Sequence, residues 1–234
     1  NRWDSFCLVT PNWQCRLPGW PYRGDDPNGF MAKDEIVAHL DGFARSFDAP
    51  LREGVDVTRV APHELGYVVE TSAGTWTAGQ VVIATGGYDQ PIVPAFAADL
   101  DSSIVQLHSR EYRRPSQMPD GGTLIVGTGQ SGVQLMDDFY LDGRQVHLAV
   151  GPAPRSPRKY RGRDATDWLY DAGHYDITID KHPNPIKALT QTNHYMSGRD
   201  GGKEIDLRRY ALEGVRLYGS VSGGAGKRLE FLPD

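Results

Sequence analysis

Gly127, Thr128, Gly129, Gln130, Ser131 and Gly132 spell a GxGxxG turn, the spacing in this chain with the most specific chemical meaning. In such a turn the first glycine permits the tight bend, the second lets backbone approach a pyrophosphate, and the third lets a helix pack close to a strand. Free N–H groups at the start of the following helix then hold the anion. Downstream, Arg155, Arg158, Lys159, Arg161 and Arg163 crowd one loop with cations suited to a phosphate monoester. The seven His are scattered singly, and neither a Ser/His/Asp nucleophile set nor a metal-ligand spacing emerges. Cys7 and Cys15 match neither CxxC nor CxxxxC, so they read as structural thiols in a reducing cytoplasm.

The turn has the neighbours it needs. The apolar strand Thr123-Leu124-Ile125-Val126 precedes it, and Val133, Leu135, Met136, Phe139 and Tyr140 give the following segment a helical apolar pattern. Gly143 ends that helix and Val146 to Val150 supplies a second strand, completing a dinucleotide-binding βαβ unit between Gly122 and Val150. An NAD-specific unit places an acid on the ribose about 20 residues after the glycines. Here that region reads His147-Leu148-Ala149-Val150-Gly151, and no acid follows until Asp164. With the basic loop beyond, this predicts NADPH in preference to NADH, with Arg155 or Arg158 on the 2′-phosphate and Lys159 beside them. The competing reading is a solvated basic loop.

Other elements frame this unit. Residues 1 to 30 are rich in Pro, Gly, Trp and Asp and read as irregular. Asp34 is placed to cap a helix whose Ile36, Val37, Leu40, Phe43 and Phe47 share a face turned to a core, ending near Ala49-Pro50. Short strands follow around Val55 and Val57, Tyr67 to Thr71 and Thr75 to Thr77. Val81-Val82-Ile83-Ala84 is apolar throughout, as in a strand covered on both faces, and ends in Thr85-Gly86-Gly87. Pro91 and Pro94 mark a boundary, and Asp164 caps a helix carrying Trp168-Leu169. A hydrophobic fraction of 39% with five Trp describes a globular chain rather than a disordered one. The net charge of −5 excludes a generally basic nucleic-acid binder. No apolar run approaches the ~20 residues of a membrane helix. Asn1-Arg2-Trp3-Asp4-Ser5-Phe6 shows neither an initiator Met nor a leader, and reads as the interior of a longer protein.

One further motif is His108-Ser109-Arg110-Glu111-Tyr112, just before the βαβ unit. Taken with Ala84-Thr85-Gly86 upstream and Gly127-Gln130-Ser131-Gly132 downstream, it resembles the flavin-containing and Baeyer-Villiger-type monooxygenases, which carry FAD and NADPH on two dinucleotide folds. Arg158-Lys159-Tyr160-Arg161-Gly162-Arg163-Asp164 is a weaker echo of bacterial flavoproteins of this group. The chain departs from the family fingerprint at Ser102 and Ile104, where Phe and Gly are usual, and at Tyr112, where Baeyer-Villiger enzymes have Trp. The family's first GxGxxG, which binds the FAD pyrophosphate, is absent before Val57.

The resemblance implies an α/β protein of two Rossmann-type domains, an NADPH domain inserted into an FAD domain, both incomplete. It implies a partial FAD-binding domain over 1–97 and an NADPH-binding domain over 98–234. Trp3, Asp4, Thr10 and Asn12 are expected beside the flavin, Val57 at the adenine through its backbone, and Thr85 and Gly86 near FAD at the domain junction. His108 and Tyr112 are expected to position the linker and the nicotinamide. The implied enzyme is a cytoplasmic flavoprotein oxidoreductase, a monooxygenase in which NADPH reduces FAD and the flavin activates O2 to oxygenate a small organic substrate. No side chain is required as a catalytic acid or base, and the 234-residue chain alone is expected to be inactive. The alternatives are a flavin reductase or dehydrogenase without oxygen insertion and a non-catalytic NADPH-binding module. Neither nucleic acid nor membrane is an expected partner, and a homo-oligomer is left open.

Overall fold

The computed structural model describes residues 2–86, 90–190 and 194–233. Gly87, named above at the end of an expected strand, lies outside them. The chain packs as two units, one of Asn1–Leu40 with Ile92–Asp234 and one of Asp41–Pro91.

Helix α1, Lys33–Ser46, begins in the first unit and ends in the second. Asp34 lies inside its first turn rather than at its cap, and Glu35 reaches back to accept the Ala32 N–H at 2.8 Å. Its apolar stripe is not buried: Val37, Leu40 and Phe47 are exposed, and no residue of the helix is fully covered. Sequence period fixes which residues share a face, but covering that face takes a partner that the described residues do not supply.

In the second unit β1 (Val57–His63), β2 (Gly66–Thr71) and β3 (Gly74–Ala78) form an antiparallel meander in the order β1-β2-β3. The expected short strands are all present. Val81–Ala84 is the exception: it has no strand pairing, and Val82 and Ile83 are 87% and 71% exposed. A two-face-buried strand exists only between lateral neighbours, and among the described residues none pairs with it.

The first unit is organised by β4 (Thr123–Val126), α2 (Gln130–Leu141) and β5 (Val146–Ala149). Two short strands, β6 (Lys159–Tyr160) and β7 (Arg163–Asp164), make a hairpin that leads into α3, Ala165–Asp171. Asp164 caps α3 by accepting the Thr166 N–H at 2.9 Å. Three short helices follow: α4 (Pro185–Thr190), α5 (Arg199–Gly202) and α6 (Leu207–Leu212). Strand β8, Arg216–Tyr218, then pairs parallel with β5, so the sheet order is β4-β5-β8. A hairpin of β9 (Val221–Ala225) and β10 (Arg228–Phe231) closes the chain.

Helix α2 is the centre of the core. Every residue from Val133 to Phe139 is buried, together with Leu148, Val146 and Ile125 of the sheet and Trp3, Tyr112 and Tyr210 from distant segments. A helix covered all round buries its polar residues too, and here these are Gln134, Asp137 and Asp138. Buried carboxylates need partners, which defines much of the tertiary wiring described next.

Candidate functional site

The carboxyl ends of β4, β5 and β8 are tied together by short bonds. Gly127 N–H donates to Ala149 O at 2.9 Å, and Val150 N–H to Tyr218 O at 2.9 Å. The Thr128 hydroxyl donates to Gly151 O at 3.1 Å and accepts the Gly151 N–H at 3.0 Å. Thr128 is buried and braces the turn rather than facing a ligand. Open α/β sheets bind ligands at this strand edge.

The three glycines differ as their assigned tasks require. Gly127 has φ +94°, a conformation that favours glycine. A Cβ on Gly132 would lie 2.0 Å from Gly127 O, so only glycine allows this helix-to-turn approach. A Cβ on Gly129 would meet no described atom within 4 Å. Its surroundings are open where an anion would lie. The amides of Gln130, Ser131 and Gly132 begin α2 and have no carbonyl four residues back within the helix. No acid occupies its first turn, so the positive end of the helix is uncompensated. The residues therefore fit a dinucleotide pyrophosphate. Gln130 adds a clip: its amide accepts Met196 N–H at 3.0 Å and donates to Met196 O, fixing the helix start to the strand-like segment before α5. Ser131 is half-buried.

The basic loop divides. Arg158 is 1% exposed. Its Nε meets Asp164 at 2.7 Å, its Nη1 donates to Val9 O at 2.7 Å, and its guanidinium lies 4.2 Å over the Phe30 ring. Burial pushes its pKa down and the Asp164 charge holds it up. The expectation of a surface cation on a 2′-phosphate does not describe this side chain: it is an interior staple between the loop and the N-terminal segment. Nη2 is buried with no partner among the described residues. Arg155 is 36% exposed in its side chain and pairs through Nη2 with Glu204 and, at 3.5 Å, with Asp206. Lys159 is exposed on β6.

The residues expected beside a flavin separate in the same way. Trp3 is buried in the core, edge-on to Phe6 at 5.2 Å and near Tyr112 at 6.3 Å. Asn12 is buried and braces a loop, donating to Asp26 O at 2.9 Å and accepting the Met31 N–H at 2.8 Å. Asp4 is at the surface between Lys33 at 3.1 Å and Arg114 at 3.2 Å, and the Lys33 hydrogen bond draws its pKa down. Thr10 is half-buried. Val57, Thr85 and Gly86 are exposed in the second unit; Gly86 has φ +71° and nothing described within 4 Å of a Cβ position. His108 Nδ1 accepts the Arg110 N–H at 3.2 Å and its carbonyl accepts the Glu111 N–H at 2.8 Å, shaping the turn that delivers Tyr112.

Tyr112 leads to an arrangement that the sequence did not reveal. Its hydroxyl donates to Asp138 Oδ2 at 2.5 Å, and burial, followed by that carboxylate, raises its pKa. Asp138 also accepts from Ser5 Oγ at 2.6 Å and Arg199 Nη2 at 2.8 Å. Its neighbour Asp137 accepts from Tyr210 OH at 2.6 Å, Lys203 Nζ at 2.8 Å and Arg199 Nη1 at 3.2 Å. Two acids on α2 thus bind Ser5, the linker at 112 and helices α5 and α6. No local pattern announces this, because every partner is more than 20 residues away.

A family model described as pyridine nucleotide-disulphide oxidoreductase matches residues 24–170, more than half of the chain. The chain belongs to that family. Over 180 residues it is 36% identical to an uncharacterized CzcO-like oxidoreductase of Geobacillus kaustophilus, covering 76% of this chain and 51% of that protein. Over 159 residues it is 30% identical to the indole-3-pyruvate monooxygenase YUCCA6 of Arabidopsis thaliana, covering 64% of this chain and 38% of that one. The solved flavin-containing monooxygenase of Stenotrophomonas maltophilia superposes with a TM-score of 0.69 at 18% identity, over 98% of this chain and 61% of that chain. The chain therefore spans about half the length of the CzcO-like relative. The expected α/β class with Rossmann-type folding is borne out, as is the resemblance to flavin-containing monooxygenase-like oxidoreductases. Although this pyridine nucleotide-disulphide oxidoreductase family is named for disulphide chemistry, the two cysteines of this 234-residue chain are both free thiols. Burial pushes both thiols' pKa up, away from the nucleophilic thiolate. No described helix is long and apolar enough to cross a membrane, and the described residues form no metal-binding cluster.

Proposed function

We propose that the protein is an FAD- and NADPH-dependent oxidoreductase of monooxygenase type, acting in the cytoplasm on a small organic substrate with O2. When bound, FAD would supply the redox chemistry, taking a hydride from NADPH and, once reduced, allowing O2 to give one oxygen atom to the substrate and the other to water. The observation that carries this reading is the open Gly129 backbone at the uncompensated start of α2, on the carboxyl edge of a parallel sheet. Kinship to flavin-dependent oxidoreductases supports it.

Within this reading residues 98–234 form the NADPH-binding domain and residues 1–97 part of the FAD-binding domain. The amides of Gln130, Ser131 and Gly132 hold the NADPH pyrophosphate, and Gly127 and Gly129 keep the approach clear. Arg155 and Lys159 meet the 2′-phosphate, while Arg158 fixes the loop that presents them. The exposed Asp4, Val57, Thr85 and Gly86 and the half-buried Thr10 are the contacts offered to FAD, and Trp3 and Asn12 support the 2–12 segment from inside. The open, left-handed Gly86 suits close approach of a ligand to backbone. His108 and Tyr112 fix the linker against α2 through Asp138.

The test is anaerobic titration of the full-length protein with NADPH and NADH, followed by admission of air and substrate candidates. Flavin bleaching by NADPH more readily than by NADH, and then an oxygenated product, supports the reading. Bleaching without product in any candidate would favour a reductase. A colourless protein that binds NADPH would leave only a nucleotide-binding module.

A further inference from the structure

The acids missing from the end of β5 in the sequence arrive from elsewhere in the fold. Glu204 forms a short ion pair with Arg155 Nη2, and its other oxygen accepts the Arg158 backbone N–H at 3.0 Å. Asp206 stands 3.5 Å from the same Arg155 nitrogen while capping α6 and pairing with Arg208 at 3.1 Å. Arg158 is buried and committed to Asp164, so Arg155, the first arginine after β5 in the chain, is the guanidinium left partly exposed at the start of the loop. Two carboxylates already share its charge.

We propose that Glu204 and Asp206 are selectivity-determining residues that hold down the preference for NADPH over NADH; this rests on the NADPH reading above. A 2′-phosphate approaching Arg155 must displace an existing ion pair and meets two like charges close by. A 2′-hydroxyl brings no charge, and the same carboxylates offer it acceptor oxygens, the role an acid plays in NAD-specific units. The two acids therefore oppose the phosphorylated nucleotide selectively. At sites about a third exposed, a close charge pair is worth about two- to fivefold in affinity.

The experiment uses the full-length protein with Glu204→Gln and Asp206→Asn, singly and together. Each replacement keeps the shape: glutamine still accepts the Arg158 N–H, and asparagine remains a good helix cap. Dissociation constants for NADPH and NADH are measured directly by titration at low and moderate salt, with thermal unfolding as a check on folding. The expected result is NADPH binding tightened about three- to tenfold in the double variant, with NADH little changed or weakened. The gain should shrink as salt rises. An unchanged or reduced NADPH-to-NADH ratio in folded variants overturns the inference. If the double variant does not fold, Glu204→Gln alone, which carries the shorter ion pair, decides by the same ratio. A parent protein that binds neither nucleotide would instead overturn the NADPH reading itself.

Discussion

Replacing Gly129 with valine separates nucleotide binding from folding. At this position φ is −64° and ψ is 175°, a conformation open to every residue, and a Cβ meets no described atom within 4 Å. Losing glycine at a helix cap costs about 1 kcal/mol or less, and narrowing the unfolded ensemble returns roughly 0.4–1 kcal/mol. Net stability should therefore change by under about 1 kcal/mol, a shift of no more than roughly 4 °C in Tm. Binding should respond very differently. The side chain would fill the space assigned to the pyrophosphate and deny it the amides of Gln130 to Gly132, each such charge-assisted bond being worth about 1.5–3 kcal/mol. Losing two of them weakens NADPH binding by roughly 100-fold or more. Gly132→Ala is the contrasting case. Its Cβ would sit 2.0 Å from a backbone oxygen that must retreat by about 1 Å to reach even the tightest tolerated contact. Overpacking of about 1–3 kcal/mol then outweighs the ~1 kcal/mol gained in helix propensity, so both stability and binding fall. The assay is nucleotide titration beside thermal unfolding of the full-length variants. A folded Gly129→Val protein that binds NADPH like the parent would refute the assignment of this turn.

Three further outcomes follow from the buried wiring. Arg199→Met strips the shared cation from Asp137 and Asp138, whose side chains are 3% and 9% exposed, and should cost about 3–5 kcal/mol; a urea midpoint near that of the parent would remove Arg199 from the core. Tyr112→Phe should lose roughly 1.5–3 kcal/mol for its bond to a carboxylate while NADPH affinity stays constant, whereas collapsed affinity at unchanged stability would mean that Tyr112 touches the cofactor. Burial, then the Arg216 charge, lowers the pKa of His147 below its ordinary value. The unfolded chain then binds its proton first, so stability declines as pH falls through the ordinary imidazole range. His147→Gln should flatten that decline between neutral and mildly acidic pH in unfolding measurements, and an unaltered slope would exclude His147 as its source.

What the sequence made legible was local. The turn at Gly127–Gly132, its flanking strands, the Asp164 cap and the three-stranded meander all depend on neighbours a few residues away. Val81–Ala84 did not become a strand because strands need lateral partners that apolarity alone does not provide. The α1 stripe marked a face but could not specify its cover. Arg158 looked like a surface cation because five basic residues share its loop, yet Val9, Phe30 and Asp164 draw it inside. Asp137 and Asp138 gave no signal, since Ser5, Tyr112, Arg199, Lys203 and Tyr210 meet them only through the tertiary fold. Glu204 was invisible for the same reason: 49 residues separate it from Arg155.

The central claim is that the glycine turn delivers NADPH to a bound flavin. Rapid mixing of the oxidised full-length protein with NADPH in the absence of oxygen tests it most directly, read by the visible absorbance of the flavin. The account predicts a yellow protein that bleaches on mixing, recovers its colour in air, and in the Gly129→Val variant retains flavin but scarcely bleaches. A protein that holds flavin yet is not reduced by NADPH, or a Gly129→Val variant reduced at the parental rate, would contradict it.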